Sequence, residues 1–436
     1  MGSERLLQRA GVLAEPNFRR FYAGYVTSLL GSAMSTVAIA WAVLDSGAGA
    51  TGLGYVFAAG VVSQVLMLPL AGAVADRLGR RRVMLAADVL RCAAQGALAG
   101  AVFAGRSPLW VFVLLAWLEG TGEGFFTPAM DALTVEIAPR GQLGNANALY
   151  ELASSATRIA GPALGGVLVA LAGSAVVVAA DAATFAVSVL ALGLLRIPVR
   201  AAGQDQQKRS TLWREMAAGW SEFRSRTWLW VVAVQFAFFN LITWAPWMLL
   251  GPVMGRAYLG GAAVWGVIMA VQGAGAITAG LLALGRRPRR PMVVATIGTL
   301  CYALPDLPMA LHAPAIWVAA AAFCCGAGSA TSGTFYSTTL QQQVPPELIA
   351  RVSSLTLLPA YGIGVIGYAI DGPLAAAFGP AAIFALGAAY GLLSSAAVLT
   401  VRSVRDVTWT ERPGEPLSSS WPRRAARRRR PAAPPP

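Results

Sequence analysis

A chain of 436 residues that is 56% hydrophobic and 12% charged has too little polar surface to cover a water-soluble globule, in which about a quarter of residues are charged. The net charge of +14 would point to nucleic acid in a soluble protein, but the arginines here stand in short breaks between long apolar runs, the pattern of a polytopic helical membrane protein. Lys208, the one lysine, follows Gln207, so the Gly-Lys pair of a phosphate-binding Walker A loop is missing. With one histidine, His312, and four cysteines inside apolar runs, neither a metal set nor a Ser-His-Asp triad is in view. No cofactor, no enzyme activity and no nucleic-acid partner are expected.

In chain order, residues 1–20 carry Glu4, Arg5, Arg9 and Arg19 with no cleavage site after them, and read as an uncleaved cytoplasmic leader. Six apolar runs follow, near 21–45, 52–75, 83–104, 109–129, 146–171 and 175–196. Each is about twenty residues or more, enough for a hydrocarbon core of about 30 Å. Residues 197–228 form a polar linker. Within it Leu212, Met216, Trp220 and Phe223 share one helical stripe and Arg214, Glu215 and Glu222 lie off it, which predicts an amphipathic helix in the membrane interface. Six more runs lie near 229–252, 261–284, 291–311, 314–338, 352–377 and 380–401. The tail, 402–436, is rich in Pro, Ser and Arg and predicts disorder on anionic lipid.

Arginine sets the orientation. With the N-terminus inside, Arg77, Arg80, Arg81, Arg82, Arg140, Arg286, Arg287, Arg289, Arg290 and Arg351 are cytoplasmic and only Arg106 and Arg256 face out. Both termini are therefore expected inside, in the plasma membrane of a high-GC bacterium, with anionic lipids at the arginine-rich loops.

The chain echoes itself at a displacement of 206 residues. Gly79-Arg80-Arg81 meets Gly285-Arg286-Arg287, Pro139 meets Pro345, Gly161 meets Gly367 and Gly166 meets Gly372. The expected fold is all-α, twelve transmembrane helices in two pseudo-symmetric six-helix halves, 21–196 and 229–401. Such repeats belong to transporters whose halves rock about a central site.

Two segments carry a family likeness. Gly72-Ala-Val-Ala-Asp76-Arg77-Leu-Gly79-Arg80-Arg81 resembles, at every fixed position, the G-x-x-x-D-R-x-G-R-R loop of the major facilitator superfamily. Gly161-Pro162-Ala-Leu-Gly165-Gly166 resembles the end of the motif typical of its antiporters. Phe125-Phe126-Thr-Pro128, Asn145-Ala-Asn147 and Arg158-Ile-Ala-Gly161 narrow the resemblance to the branch of macrolide-efflux proteins and the enterobactin exporter. The likeness covers about 18–402. It departs in span four, where Glu119 and Glu123 stand in a region from which the family's arginine is absent. The resemblance implies proton-coupled efflux of an amphipathic small molecule by a monomer. It gives Asp76 a gating contact with the start of span eleven, reinforced by Arg77, Arg80 and Arg81. It gives the Pro162 kink the sealing of the interface between halves.

From the residues themselves, Glu119 and Glu123 lie one turn apart on span four, and intramembrane ionisable groups are usually functional. They are the candidate proton-coupling pair, with Arg158 on span five, at similar depth, as their expected partner; a static ion pair is the alternative. Asp88 and Arg91, three apart on span three, read as a local structural pair tied to Asp76. Asp181 and Asp371 have no assigned role. Ser32, Gln235, Phe239, Asn240, Trp244, Ser332 and Tyr336 are candidates for a cavity between the halves, aromatic surface with scattered hydrogen-bonding groups that suits an amphipathic substrate. An exporter of a single metabolite, and a receptor that has kept the fold without transport, are the rival readings.

Overall fold

The computed structural model describes residues 11–105, 107–139, 142–195, 220–283 and 286–409. Twelve long helices follow one another: α1 Pro16–Asp45, α2 Gly49–Leu78, α3 Arg80–Phe103, α4 Leu109–Ile137, α5 Leu143–Ala172 and α6 Ser174–Gly193. The second set is α7 Thr227–Leu259, α8 Ala262–Ala283, α9 Pro291–Ala310, α10 Ala315–Gln343, α11 Pro346–Phe378 and α12 Pro380–Thr400. Eleven are long and apolar enough to cross a membrane; in α11 the apolar stretch is Gly362–Phe378. The described residues contain no strand. The linker up to 219, the tail from 410, Arg106 and Arg140 lie outside the described residues, and so does most of the expected amphipathic helix. From Trp220 the chain is helical, with Trp220 stacked on Phe223 at 5.9 Å.

Single glycines set the tight connections. Gly79, at φ 89°, ends α2 and starts α3: its N–H donates to Ala75 O and its carbonyl accepts from Val83 N. Gly173 and Gly379, at φ 84° and 80°, do the same between α5 and α6 and between α11 and α12, and they too stand 206 residues apart. Any other residue would be strained in this left-handed region. Two helices are irregular. In α7, π-helical turns occur at Asn240–Trp244 and Gly255–Leu259. In α9 the helix breaks at Ala303–Pro305.

Within the N-terminal half α1 packs on α5 and α6, α2 on α4, and α3 on α4 and α6. Within the C-terminal half α10 packs on α8 and α9, and α7 on α11 and α12. The halves meet through two crossings, α5 with α8 and α2 with α11. Large apolar side chains cover the perimeter, Leu171 at 80% and Phe378 at 70% exposure among them. In water they would cost hydrophobic free energy; in lipid they are at home.

The buried core is divided unequally along the helix axes. At the face remote from the described chain ends, one cluster draws on both halves, with Trp41, Val169, Trp247, Trp265 and Phe384 as members. Trp247 and Trp265 pack at 4.9 Å, and Arg256 at the end of α7 pairs with Asp45 at the end of α1 at 2.9 Å. At the face carrying the chain ends there are two clusters. One, around Phe18, Phe21 and Leu133, belongs to the N-terminal half. The other, around Trp228, Phe335 and Val404, belongs to the C-terminal half. The halves are thus closed together at one face and packed separately at the other.

Candidate functional site

The charged residues of the N-terminal half converge on Arg91. Its side chain is 7% exposed, and its guanidinium lies over the Phe185 ring of α6 at 4.1 Å. Arg91 Nε and Nη2 donate to Glu119 Oε1 at 3.2 and 3.1 Å, and Nη1 reaches Glu123 Oε2 at 2.9 Å. Asp88, one turn earlier on α3, stands 3.7 Å from Nη1 and accepts a 2.6 Å hydrogen bond from Ser188 of α6. Thr127 Oγ1 donates to Glu123 Oε1 at 3.0 Å. Asp181 of α6, fully buried, accepts a 3.3 Å hydrogen bond from Thr184 Oγ1. One guanidinium therefore serves three carboxylates drawn from α3 and α4. Glu119 and Glu123 keep 28% and 32% of their side chains exposed, so two of the three have an accessible edge.

This arrangement corrects two expectations. Arg158 is not the partner of Glu119 and Glu123: it is exposed on α5 and donates only a long hydrogen bond to Ser155 Oγ, at 3.4 Å. Asp88 and Arg91 do pair, but their network runs to Glu119 and Glu123. The side chain of Asp76 lies outside the described residues. Asp181, which the sequence left unassigned, is a further fully buried carboxylate of the same half. An aspartate in an otherwise apolar span was the available signal.

The signature loop has a structural part in the N-terminal half. Arg80 Nη1 donates to Ala132 O at 3.0 Å and to Glu136 Oε1 at 2.5 Å, tying α3 to the end of α4. Arg81 donates to the carbonyls of Leu192 and Gly193 at 2.8 and 2.6 Å and caps the C-terminus of α6, where unpaired carbonyls carry partial negative charge. Arg77 is exposed. Gly72 has open space around it.

The antiporter-like glycines divide between two neighbours. Gly161 and Gly165 face α1: a Cβ at 161 would strike Ala33, and one at 165 would come 2.6 Å from Met34 O. Gly166 faces the other half, where a Cβ would stand 2.5 Å from Ala262 O and 2.8 Å from Gly266 Cα on α8. Pro162 lies inside α5, and its carbonyl would be 3.0 Å from a Cβ on Gly266. The repeat reproduces this pattern. Gly367 of α11 faces Leu241 and Ala245 of α7, and Gly372 faces Thr51 of α2, where a Cβ would stand 2.5 Å from the Thr51 Cα. Backbone meets backbone at both crossings because no side chain intervenes.

Of the proposed cavity residues, Gln235, Ser332 and Tyr336 line a cavity of about 360 Å³ inside the C-terminal half, between α7, α9, α10 and α11. The other four do not. Phe239 is 1% exposed and packs on Tyr302 at 4.8 Å, and Trp244 packs on the same ring at 5.4 Å. Asn240 donates to the Phe236 carbonyl of its own helix at 2.8 Å, and Ser32 lies on α1 in the other half. The lining therefore comes from α7, α9, α10 and α11 of one half, where a cavity between the halves was expected.

Comparison with known proteins agrees with this architecture. A family model described as Major Facilitator Superfamily matches residues 21–367. The chain is 30% identical over 383 residues to the multidrug efflux pump Tap of Mycolicibacterium fortuitum, covering 82% of this chain and 89% of that protein. It is 24% identical over 347 residues to macrolide efflux protein A of Streptococcus pyogenes, covering 78% and 84%. Among solved structures, the nucleoside transporter NupG superposes with a TM-score of 0.67 at 13% identity, covering 88% of this chain and 98% of that one. A bacterial homologue of the iron transporter ferroportin, in an inward-facing state, gives 0.66 at 14%, covering 88% and 98%. At such identities the solved structures speak for the fold alone.

Proposed function

The chain belongs to the major facilitator superfamily, and from that premise we propose that it exports amphipathic drugs or natural products in exchange for protons, by alternating access. It is a multi-pass membrane transporter and not an enzyme. The observation that carries the alternating-access reading is the unequal core: one cluster joins the halves at the face remote from the chain ends, and two separate clusters lie at the other. Two halves of this kind, meeting at two glycine crossings, can exchange the closed face for the open one by a rigid-body movement. The relatives named for multidrug and macrolide efflux support export over uptake.

In this reading the face with the chain ends is cytoplasmic, and the protein, a monomer, stands there open to its substrate. Exposed Arg77, Arg82, Arg286, Arg287, Arg289 and Arg290 meet anionic lipid headgroups, while Arg80 and Arg81 serve the fold. Protons couple through the Arg91 cluster. Three carboxylates around one guanidinium carry a surplus of negative charge that a low-dielectric site cannot hold unrelieved, and protons on Glu119 or Glu123 relieve it. Each proton moving down a potential of 100 mV supplies about 2.3 kcal/mol.

The test is dye uptake into everted vesicles, wild type against Glu119→Gln, with and without a protonophore. Wild-type transport stops when the gradient collapses, and the variant keeps residual transport that ignores the gradient. Gradient dependence unchanged in the variant sinks Glu119 as the coupling group. Wild-type transport that survives the protonophore sinks proton exchange.

A further inference from the structure

The pseudo-symmetry shows what one half has and the other lacks. A displacement of 206 residues pairs Phe126 with Ser332 and Tyr150 with Thr356. In the N-terminal half the space at these positions is filled: Tyr150 packs against Phe18, Phe21, Tyr22 and Tyr25 at 5.7, 6.2, 5.9 and 5.3 Å, and Phe126 is 3% exposed. In the C-terminal half the paired side chains are small, and the cavity of about 360 Å³ occupies the corresponding space. It extends along α9 from Met292 to Tyr302, about 15 Å at the rise of an α-helix.

The chemistry of its wall is narrow. None of the described residues that line it is charged, and most of its polar groups are hydroxyls. Thr299 Oγ1 and Ser332 Oγ bond each other at 3.0 Å, and Tyr336 Oη donates to Thr356 Oγ1 at 3.2 Å. A hydroxyl both donates and accepts, so each pair can exchange its mutual bond for bonds to a ligand hydroxyl without stranding a buried polar atom. A charged group would lose its hydration there and meet no counter-charge. The rings of Tyr302 and Phe236 supply apolar wall. The volume is at the low end of drug-sized sites, which span about 300–1,000 Å³, and so holds a single ring system.

We propose that this cavity is the specificity subsite of the exporter and takes one uncharged, hydroxyl-bearing ring, of the size of a sugar, from a larger amphipathic substrate whose remainder lies between the halves. The proposal rests on the export reading and deepens it, since it places recognition in one half and the charged cluster in the other.

The test compares, in everted vesicles containing the full-length protein, transport of erythromycin with that of its derivative lacking the neutral sugar. Wild type prefers the intact macrolide by about tenfold, the factor that one to two hydrogen bonds are worth. Ser332→Phe, which restores the side chain found in the other half, brings the ratio close to one. Thr356→Val removes a hydroxyl without adding bulk and lowers the ratio severalfold; it also decides the matter if the larger substitution fails to reach the membrane. Equal transport of both macrolides by wild type, or a preference that survives both substitutions, overturns the subsite and leaves export standing. Transport of neither macrolide by vesicles that still accumulate dye overturns the subsite and leaves export standing, and failure with dye and macrolides alike, from membranes that contain the protein, overturns both.

Discussion

The two halves share a backbone plan and differ in what fills it. The bounds of α4, 109 and 137, and those of α10, 315 and 343, differ by the same 206 residues, and paired glycines make the paired crossings. Along these matched helices Glu119 and Glu123 stand against Cys325 and Ser329, and Phe126 stands against Ser332. The N-terminal half is charged and plugged with aromatic rings; the C-terminal half is neutral at these positions and hollow. Symmetry of the backbone governs how the halves move. The side chains decide which half handles charge and which handles shape.

Substitutions can break or sharpen that contrast. The largest effect is expected where the halves share a requirement: Gly166→Leu and Gly372→Leu each drive a side chain into the backbone of the other half, and both should abolish vesicle transport. Loss in one and full activity in the other would show that the crossings are not equivalent. Next is Arg91→Ala, which leaves buried carboxylates without their cation. It should destabilise the detergent-solubilised protein by about 3–5 kcal/mol, read as a fall in melting temperature. Arg158→Ala, at an exposed position, should change stability by no more than about 0.5 kcal/mol. The smallest effect is expected for Asp45→Ala. The Asp45–Arg256 pair is 57% and 45% exposed and worth about 0–1 kcal/mol, so the closure at the face remote from the chain ends should survive on its apolar core, with transport changed less than about threefold.

The spans were legible because hydropathy reports the hydrocarbon thickness directly. The same reason explains their shortfall at the face that carries the chain ends. The run 109–129 marks only part of α4, which continues through Asp131 and Glu136 to Ile137, since a helix need not stop where lipid does. The repeat was legible because its glycines mark backbone contacts that no other residue permits. The partner of Glu119 was not. Depth along a span can be counted in sequence, and Arg158 matched on depth. Which way α3 turns Arg91 toward α4 depends on the rotation of one helix against another, and no local spacing records that. The cavity was half legible. Its large aromatic candidates, Phe239 and Trp244, went into packing around Tyr302. The better signal was a loss of volume between the repeats, Phe126 to Ser332 and Tyr150 to Thr356.

The crossing of Gly166 and Gly266 also has a mechanical meaning. It lies six residues from Ala172 at one end of α5 and 23 from Leu143 at the other, so the helix is a lever with a short arm toward the closed face and a long arm toward the open one. At 1.5 Å per residue the long arm is about 35 Å, and a turn of about 10° at the fulcrum carries its tip about 6 Å. The tip of the short arm travels only about 1.5 Å for the same turn. A closure a few side chains thick at one face can therefore be traded for an opening wide enough to pass a molecule at the other.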